Sequence, residues 1–435
     1  MNQLWKRAWA LVGFGRLQTL SMVTFSQGFV AIAYFVQMAV LARILPIAEF
    51  GKLATLLSVA NVMEAAVGAR AAETALAAFA ELRLDDVAGR NALVARLLRI
   101  DFAWSSAIYT LLALGVLGYD YMRGTNSHWL LVLMVGSWFA FPWGTLKAYL
   151  TIYRGPRVFP AIEMSYAAAI VLIGLGLAVL LGGFGFVLGM VFAAIVRSVQ
   201  GLRQSQLSLR KLAGETPEDR GVTSRRLWWF GLTGTVRSGL MNFAQQMDVL
   251  LLSAAASPTS VALYRAAKTI SGVSQRFTTP IWFVLKRHII LGSRADAAEA
   301  SLKLVLLASL GFAAIGFVAI PLVIWLGDPI MGLAFGQNYR AGSGALAWLL
   351  IGAWTLYAVT GWSSLFGSVA NTRLTVIGLY VLQIACFGTV ALVRGVDHVS
   401  LAFALALSQV LVAGCFWVLL ARSRRARRAA QAAAG

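Results

Sequence analysis

The sequence predicts an all-α polytopic membrane protein with about twelve transmembrane helices. Of its 435 residues, 59% are hydrophobic and only 12% are charged, and the mean hydropathy is +0.76. A soluble globular domain carries about twice this charged fraction, so soluble enzymes, secreted disulfide scaffolds and disordered chains are excluded. The roughly 257 apolar residues are enough for about a dozen spans of about 20 residues each.

Apolar runs of membrane-spanning length follow one another along the whole chain. The predicted spans lie at 20–43, 50–72, 92–118, 129–151, 159–181, 184–202, 228–256, 260–285, 302–326, 343–366, 374–393 and 400–421. Because their number is even, both termini are predicted to lie on the same side of the membrane.

Positive charge alternates between the loops on the two sides of the membrane. The chain has 37 Lys and Arg against 17 Asp and Glu, a net charge of +20. One set of loops holds about five times more of the basic residues than the other, and Lys and Arg concentrate in cytoplasmic loops. Both termini are therefore predicted to be cytoplasmic. This distribution accounts for the positive charge, so nucleic acid is not predicted as a partner.

The longest polar stretch lies between the sixth and seventh spans, and its Gly, Pro and charged residues are typical of a surface linker. The predicted domains are an N-terminal six-helix lobe at 1–202, a cytoplasmic linker at 203–227, a C-terminal six-helix lobe at 228–421 and a basic cytoplasmic tail at 422–435. No other loop exceeds about 20 residues, which is too short for a folded catalytic domain. No enzymatic activity is predicted.

The two halves share a local pattern that suggests an internal repeat. The first span ends in QMAVL at 37–41 and is followed by Pro46, and the seventh contains QMDVL at 246–250 and is followed by Pro258. Chance similarity between two hydrophobic hairpins is the alternative. Two six-span units have the same topology, so such a repeat is parallel, with its axis along the membrane normal.

Polar side chains concentrate on the first two spans of each half. On the eighth span Tyr264, Lys268 and Ser271 recur every three or four residues, which places them on one helical face. An ionisable group inside a span costs a few kcal/mol, so it faces a hydrated cavity or a partner. The candidate cavity residues are Glu64, Arg237, Gln245, Asp248, Arg265, Lys268, Gln275 and Arg276. Their cationic excess suits an anionic cargo.

A structural role is the alternative for the same residues. Arg237–Asp248 and Glu64–Lys268 are then ion pairs that hold helices together.

Two segments carry a resemblance to a known family. LARILPIAEFGKLATLLS (41–58) resembles the first hairpin of polysaccharide and O-antigen (Wzx-type) flippases of the multidrug/oligosaccharidyl-lipid/polysaccharide (MOP) exporter superfamily. MDVLLLSAAASPTSVALYRAAKTI (247–270), followed by Pro280, resembles their second-half counterpart, although Ala262 stands where the family usually has Gly.

The resemblance implies two six-helix lobes around a central cleft that work by alternating access. The implied cargo is an undecaprenyl-pyrophosphate-linked oligosaccharide, moved across the bacterial inner membrane for O-antigen or exopolysaccharide biosynthesis. The implied partners are this lipid-linked oligosaccharide, membrane lipids and the polysaccharide polymerase and glycosyltransferase machinery.

No cofactor or metal site is predicted, because His128, His288 and His398 lie far apart in the sequence. The sequence leaves open whether transport is coupled to H⁺ or Na⁺. The isolated acids Asp101 and Glu163 are candidates for it, although solvation at the membrane interface is the simpler account of both. The alternative function is a cation-coupled multidrug exporter of the related MATE type, with a cavity built around acidic residues. The basic stripe argues against it.

Overall fold

The computed structural model is helical and contains no strand in the residues it describes, which are 14–81, 87–123, 128–154, 157–207, 224–291, 298–368 and 373–434. The predicted spans coincide with helices, except that a turn at 140–142 interrupts the span 129–151 and the span 228–256 extends one residue beyond its helix. The predicted fold class is therefore confirmed. The helices are longer than the apolar runs because polar residues extend many of them. Among the described residues, seven helical segments are long and apolar enough to cross a membrane, and Val158–Ser205, with 48 residues, contains two predicted spans.

The described part of the first half starts with three long helices, α1 (Phe14–Ile44), α2 (Ile47–Glu81) and α3 (Val87–Arg123). Helix α4 consists of His128–Phe139 and Trp143–Tyr149, which a turn at 140–142 separates, and a π-helical turn at Leu150–Arg154 follows it.

Helices α5 and α6 form a hairpin that folds back at Gly182. Helix α5 runs from Val158 through a π-helical turn at Ile170–Gly174 to residue 181, and α6 covers 183–205. Gly182 has φ 63° and ψ −149°, a conformation that residues with a Cβ rarely adopt. The two helices lie so close that a Cβ on Gly189 would be 2.3 Å from the Gly174 Cα. Small residues therefore allow this tight hairpin.

The described residues of the second half form six helices and one short 3₁₀ segment at Gln337–Gly342. The helices are α7 (Ser224–Ala255), α8 (Pro258–Leu291), α9 (Ala298–Phe335), α10 (Ser343–Ser368), α11 (Arg373–Arg394) and α12 (His398–Ala434). Thus α12 continues through most of the predicted tail.

The chain divides into two compact units. The first contains the described residues of Met1–Leu45 and Leu56–Phe243, and the second those of Pro46–Thr55 and Ala244–Gly435. The first turns of α2 therefore belong to the second unit, and the rest of α2 belongs to the first. The domain boundaries predicted from the sequence stay a prediction.

The turns before α2 and α8, which the repeat pattern aligned, meet within the second unit. Gly51 lies directly against the backbone of Pro258, where a Cβ would be 1.9 Å from the Pro258 carbonyl oxygen. Beside this contact, the Phe50 ring meets the Tyr339 ring edge-on at a centroid distance of 5.9 Å. Only a glycine at position 51 permits such a close backbone approach.

Candidate functional site

A buried ion pair lies within the α7–α8 hairpin of the second unit. Asp248 on α7 has no solvent exposure, and Lys268 on α8 donates to both of its carboxylate oxygens, at 2.7 and 2.8 Å. Lys268 also donates to the carbonyl oxygen of Gln245, and the Tyr264 hydroxyl donates to Asp248 at 2.5 Å. The carboxylate is therefore neutralised and hydrogen-bonded by its own hairpin.

A small cavity lies among α2, α4, α5 and α6 of the first unit. Its volume is about 40 Å³, which is room for a few water molecules or a small ion. Apolar side chains form most of the wall, and the polar residues in it are Asn61, Glu64, Ser137, Tyr166 and Arg197. The cavity is thus an apolar pocket with a few convergent polar groups, as small-ligand sites are.

Arg197 is the buried cation of this cavity. It is 7% exposed, and its guanidinium carbon lies 4.1 Å from the Tyr166 ring centroid and 5.2 Å from that of Trp143. The Glu64 carboxylate is 3.8 Å from Nη2, which exceeds hydrogen-bond distance, and the Glu64 side chain is 53% exposed. The aromatic faces, more than the carboxylate, hold the guanidinium in place.

The structure brings three of the predicted cavity residues together, namely Gln245, Asp248 and Lys268. Arg265 is 4% exposed on α8 in the same unit, and Glu64 lies in the first unit. The backbones of the other three candidates are on α7 and α8, but their side chains lie outside the described residues; they are Arg237, Gln275 and Arg276.

The basic neighbours of Asp248 and Glu64 are residues that the sequence had not paired with them. Lys268 neutralises Asp248, and Arg197 is a basic neighbour of Glu64. The Arg237 side chain lies outside the described residues, so the alternative Arg237–Asp248 pair stays a prediction. Sequence spacing identified charged positions but could not identify which helices pack side by side, and that packing decides the pairs.

Further polar residues turn out to have structural contacts. The Ser271 hydroxyl, part of the predicted stripe, donates to the Leu349 carbonyl of α10 at 3.3 Å. Asp101 is 6% exposed and accepts a 2.6 Å hydrogen bond from Thr145, so the expected interfacial solvation is wrong for Asp101. Glu163 accepts a 3.1 Å hydrogen bond from the Trp143 ring nitrogen.

The sequence interpretation missed Arg197 and its aromatic neighbours. A signal was present, since Arg197 is an isolated arginine in the apolar run of the sixth span. Tyr166 and Trp143 carried no comparable signal, because aromatic residues inside spans usually pack against other helices.

This fold, with charged groups buried inside spanning helices, is that of a polytopic membrane protein and is shared by solved transporters of the MOP superfamily. Residues 17–285 match the family described as "Polysaccharide biosynthesis protein", and the chain belongs to this family. The family predicted from residues 41–58 and 247–270 is thus confirmed. No curated protein matches the chain significantly.

Solved structures with a similar fold are MOP superfamily transporters. The MATE transporter VcmN of Vibrio cholerae has a TM-score of 0.63 and 13% identity over 94% of this chain and 97% of that one. A MOP superfamily transporter from Pyrococcus furiosus has a TM-score of 0.66 and 12% identity over 93% and 95%. An outward-facing MATE family transporter has a TM-score of 0.67 and 12% identity over 93% and 95%. At these identities the likeness concerns the fold alone.

Proposed function

We propose that the protein translocates an undecaprenyl-pyrophosphate-linked oligosaccharide from the cytoplasmic to the outer leaflet of the bacterial inner membrane. The family match to polysaccharide biosynthesis proteins supports this class of cargo. The cargo crosses by alternating access and emerges chemically unchanged, for use in O-antigen or exopolysaccharide synthesis. Its functional partners are then the glycosyltransferases that build the repeat unit and the polymerase that uses it.

The observation that carries the choice of cargo is that both predicted acidic candidates have a basic neighbour. Asp248 is paired with Lys268 at 2.7 Å, and Glu64 lies 3.8 Å from Arg197. A site for a cationic drug needs a carboxylate that is available to the drug, and the hydrogen bonds of Asp248 already occupy it. The basic groups suit the pyrophosphate and acidic sugars of a lipid-linked glycan, which bind Arg and Lys through charge-assisted hydrogen bonds.

Cation-coupled multidrug export is the second candidate function. Two of the solved structures with this fold are described as MATE transporters, which supports it. The Pyrococcus furiosus protein is described by the words "reverse polarity of binding pocket suggests different function". The polarity of the binding pocket can therefore differ between proteins of this fold, and it distinguishes the two candidate functions. Because the acidic residues of this chain have basic neighbours, the pocket favours an anionic glycan over a cationic drug.

The experiment that tests the function is a leaflet assay. Everted and right-side-out vesicles are prepared from cells with and without the gene, and a labelled lipid-linked glycan is located with an impermeant reagent. Without the protein, the glycan should accumulate in the cytoplasmic leaflet and surface polysaccharide should stop. Normal outward movement of the glycan, together with lost efflux of a cationic dye, would overturn the flippase proposal and favour drug export.

The driving force is tested in the same vesicles. We propose that an H⁺ or Na⁺ gradient, or the downstream consumption of the cargo, drives transport, because no Walker A phosphate-binding sequence is present in the chain. A protonophore collapses the proton gradient, and a sodium ionophore collapses the sodium gradient. If an ion gradient drives transport, the treatment that removes this gradient should stop glycan movement. Undiminished movement under both treatments would contradict ion coupling.

A further inference from the structure

We propose that Arg197 binds one oxyanion group of the cargo, a phosphate or a sugar carboxylate, and that Glu64 is the counter-ion this group displaces. The identification of the ligand as part of the cargo rests on the proposed function. The anion site itself rests on the geometry of the cavity in the first unit.

The cavity lies well inside its helices, at a depth that a group crossing the membrane has to pass. Glu64 lies 17 residues after the start of α2, and Arg197 lies 14 residues after residue 183 of α6. At 1.5 Å per residue both are about 20–25 Å from those helix ends, within a hydrocarbon core of about 30 Å. A cation at this depth is costly unless it has a function or a partner.

Arg197 has unused hydrogen-bonding capacity. Its guanidinium group has five N–H donors, and Nε is buried without an acceptor among the described residues. An unsatisfied buried donor costs about 1–3 kcal/mol. The nearest carboxylate, that of Glu64, is too distant at 3.8 Å to form a hydrogen bond. The Arg197 side chain lines the cavity, so a ligand oxygen there would lie beside the guanidinium group, whose Nη2 forms no hydrogen bond with Glu64.

The size and lining of the cavity fit a single oxyanion. About 40 Å³ is room for about three or four oxygen-sized atoms, which fits the oxygens of one phosphate or carboxylate group but not a sugar ring. Asn61 and Ser137 line the same cavity, and each has a side-chain donor for further ligand oxygens. A planar guanidinium binds phosphate and carboxylate through two parallel hydrogen bonds, which an ammonium cannot do.

Glu64 is suited to be displaced. Its side chain is 53% exposed, so neighbouring side chains do not enclose it and it has room to move away from the guanidinium. Arg197 does not depend on Glu64 for its position, because Tyr166 and Trp143 contact it through their ring faces. The cation therefore stays in place while its anionic partner changes from the Glu64 carboxylate to the ligand.

Calorimetric titration of the full-length protein in lipid nanodiscs tests the site without requiring transport. The probes are inorganic phosphate and glucuronate, with glucose as the neutral control. Glu64→Gln should tighten oxyanion binding at least fivefold, because it removes the competing carboxylate. Arg197→Met should abolish binding, and Arg197→Lys should weaken it while retaining the charge. Arg203→Met, which removes an exposed arginine of the same helix, should change nothing.

Each outcome of the titration has a defined meaning. Binding of phosphate alone supports the site and assigns it to the pyrophosphate end of the cargo, and binding of glucuronate alone supports it and assigns it to an acidic sugar. Unchanged or weaker binding to folded Glu64→Gln, or wild-type binding to folded Arg197→Met, would overturn the proposal. So would the lack of any oxyanion binding to wild type and Glu64→Gln. A failed leaflet assay with intact oxyanion binding would reject the flippase function and leave the anion site standing.

Discussion

Lys268 contacts both carboxylate oxygens of Asp248, with Nζ 2.7 Å from Oδ1 and 2.8 Å from Oδ2. The two residues are 20 positions apart, on α7 and α8, and a short turn brings them to the same level of the hairpin. A buried ion pair stabilises a fold little relative to apolar residues, but the removal of one partner leaves an uncompensated buried charge. The pair therefore constrains how α7 and α8 pack, whatever the cargo.

Removing the lysine alone should destabilise the protein. Lys268→Met leaves the Asp248 carboxylate buried without its cation, so we expect a loss of about 3–5 kcal/mol. The double variant Asp248→Asn/Lys268→Met should recover most of this loss, because no charge remains buried. Thermal unfolding followed by tryptophan fluorescence, with abundance in the membrane, measures both. A double variant no more stable than the single would contradict the structural role of the pair.

Gly51→Ala should disturb the contact between the starts of α2 and α8. The added Cβ would lie 1.9 Å from the Pro258 carbonyl oxygen, so the backbones must separate. We expect a clear loss of thermal stability and of transport. Gly272→Ala is the matched control in α8, since a Cβ there meets nothing within 4 Å and alanine favours the helix by up to about 1 kcal/mol. Equal effects of the two substitutions would contradict the close contact at Gly51.

Asp397 caps the N-terminus of α12 and should make its stability depend on pH. Its Oδ1 accepts the backbone N–H groups of Val399 and Ser400 at 2.8 and 3.0 Å. Partial burial alone would raise the pKa of Asp397, but these hydrogen bonds, one from the Ser400 hydroxyl and the charge of His398 together lower the pKa below its ordinary value of 3.8. The stabilisation by the charged cap is thus complete above about pH 3.9 and is lost as the pH falls through the lowered value.

At neutral pH, Asp397→Ala should lower stability by about 1 kcal/mol, whereas Asp397→Asn keeps the capping acceptor and should lose less. Thermal unfolding at pH 7 and pH 3 should show a larger wild-type advantage over Asp397→Asn at pH 7 than at pH 3. The same advantage at both pH values would contradict capping by the charged form.

The proposed topology places both termini in the cytoplasm. Reporter fusions at Gly214, in the predicted linker, and at Pro258, in the turn between α7 and α8, should therefore give opposite signals. Cytoplasmic reporters should be active at Gly214, and periplasmic reporters should be active at Pro258. Matching signals from the two positions would contradict the orientation derived from the basic loops.

The sequence alone predicted the fold class and the family, because both depend on properties that are written along the chain. Hydropathy over about 20 residues marks a span regardless of its neighbours, since the bilayer forces each helix to satisfy its own backbone hydrogen bonds. Local patterns around Pro46 and Pro258 were enough to suggest the family. The polar residues of the predicted spans that became α7 and α8 also drew attention to Asp248 and Lys268, which the structure places in contact.

The tertiary structure decided which charges meet, because partners on different helices depend on packing that sequence spacing does not encode. It paired Asp248 with Lys268 and brought Arg197 near Glu64, and it placed Arg197 against Tyr166 beside a cavity that no local pattern indicated. It also assigned the start of α2 to the second unit, through a backbone contact that only Gly51 permits. A span's hydropathy belongs to one helix, whereas an ion pair, a cavity or a close backbone contact belongs to at least two.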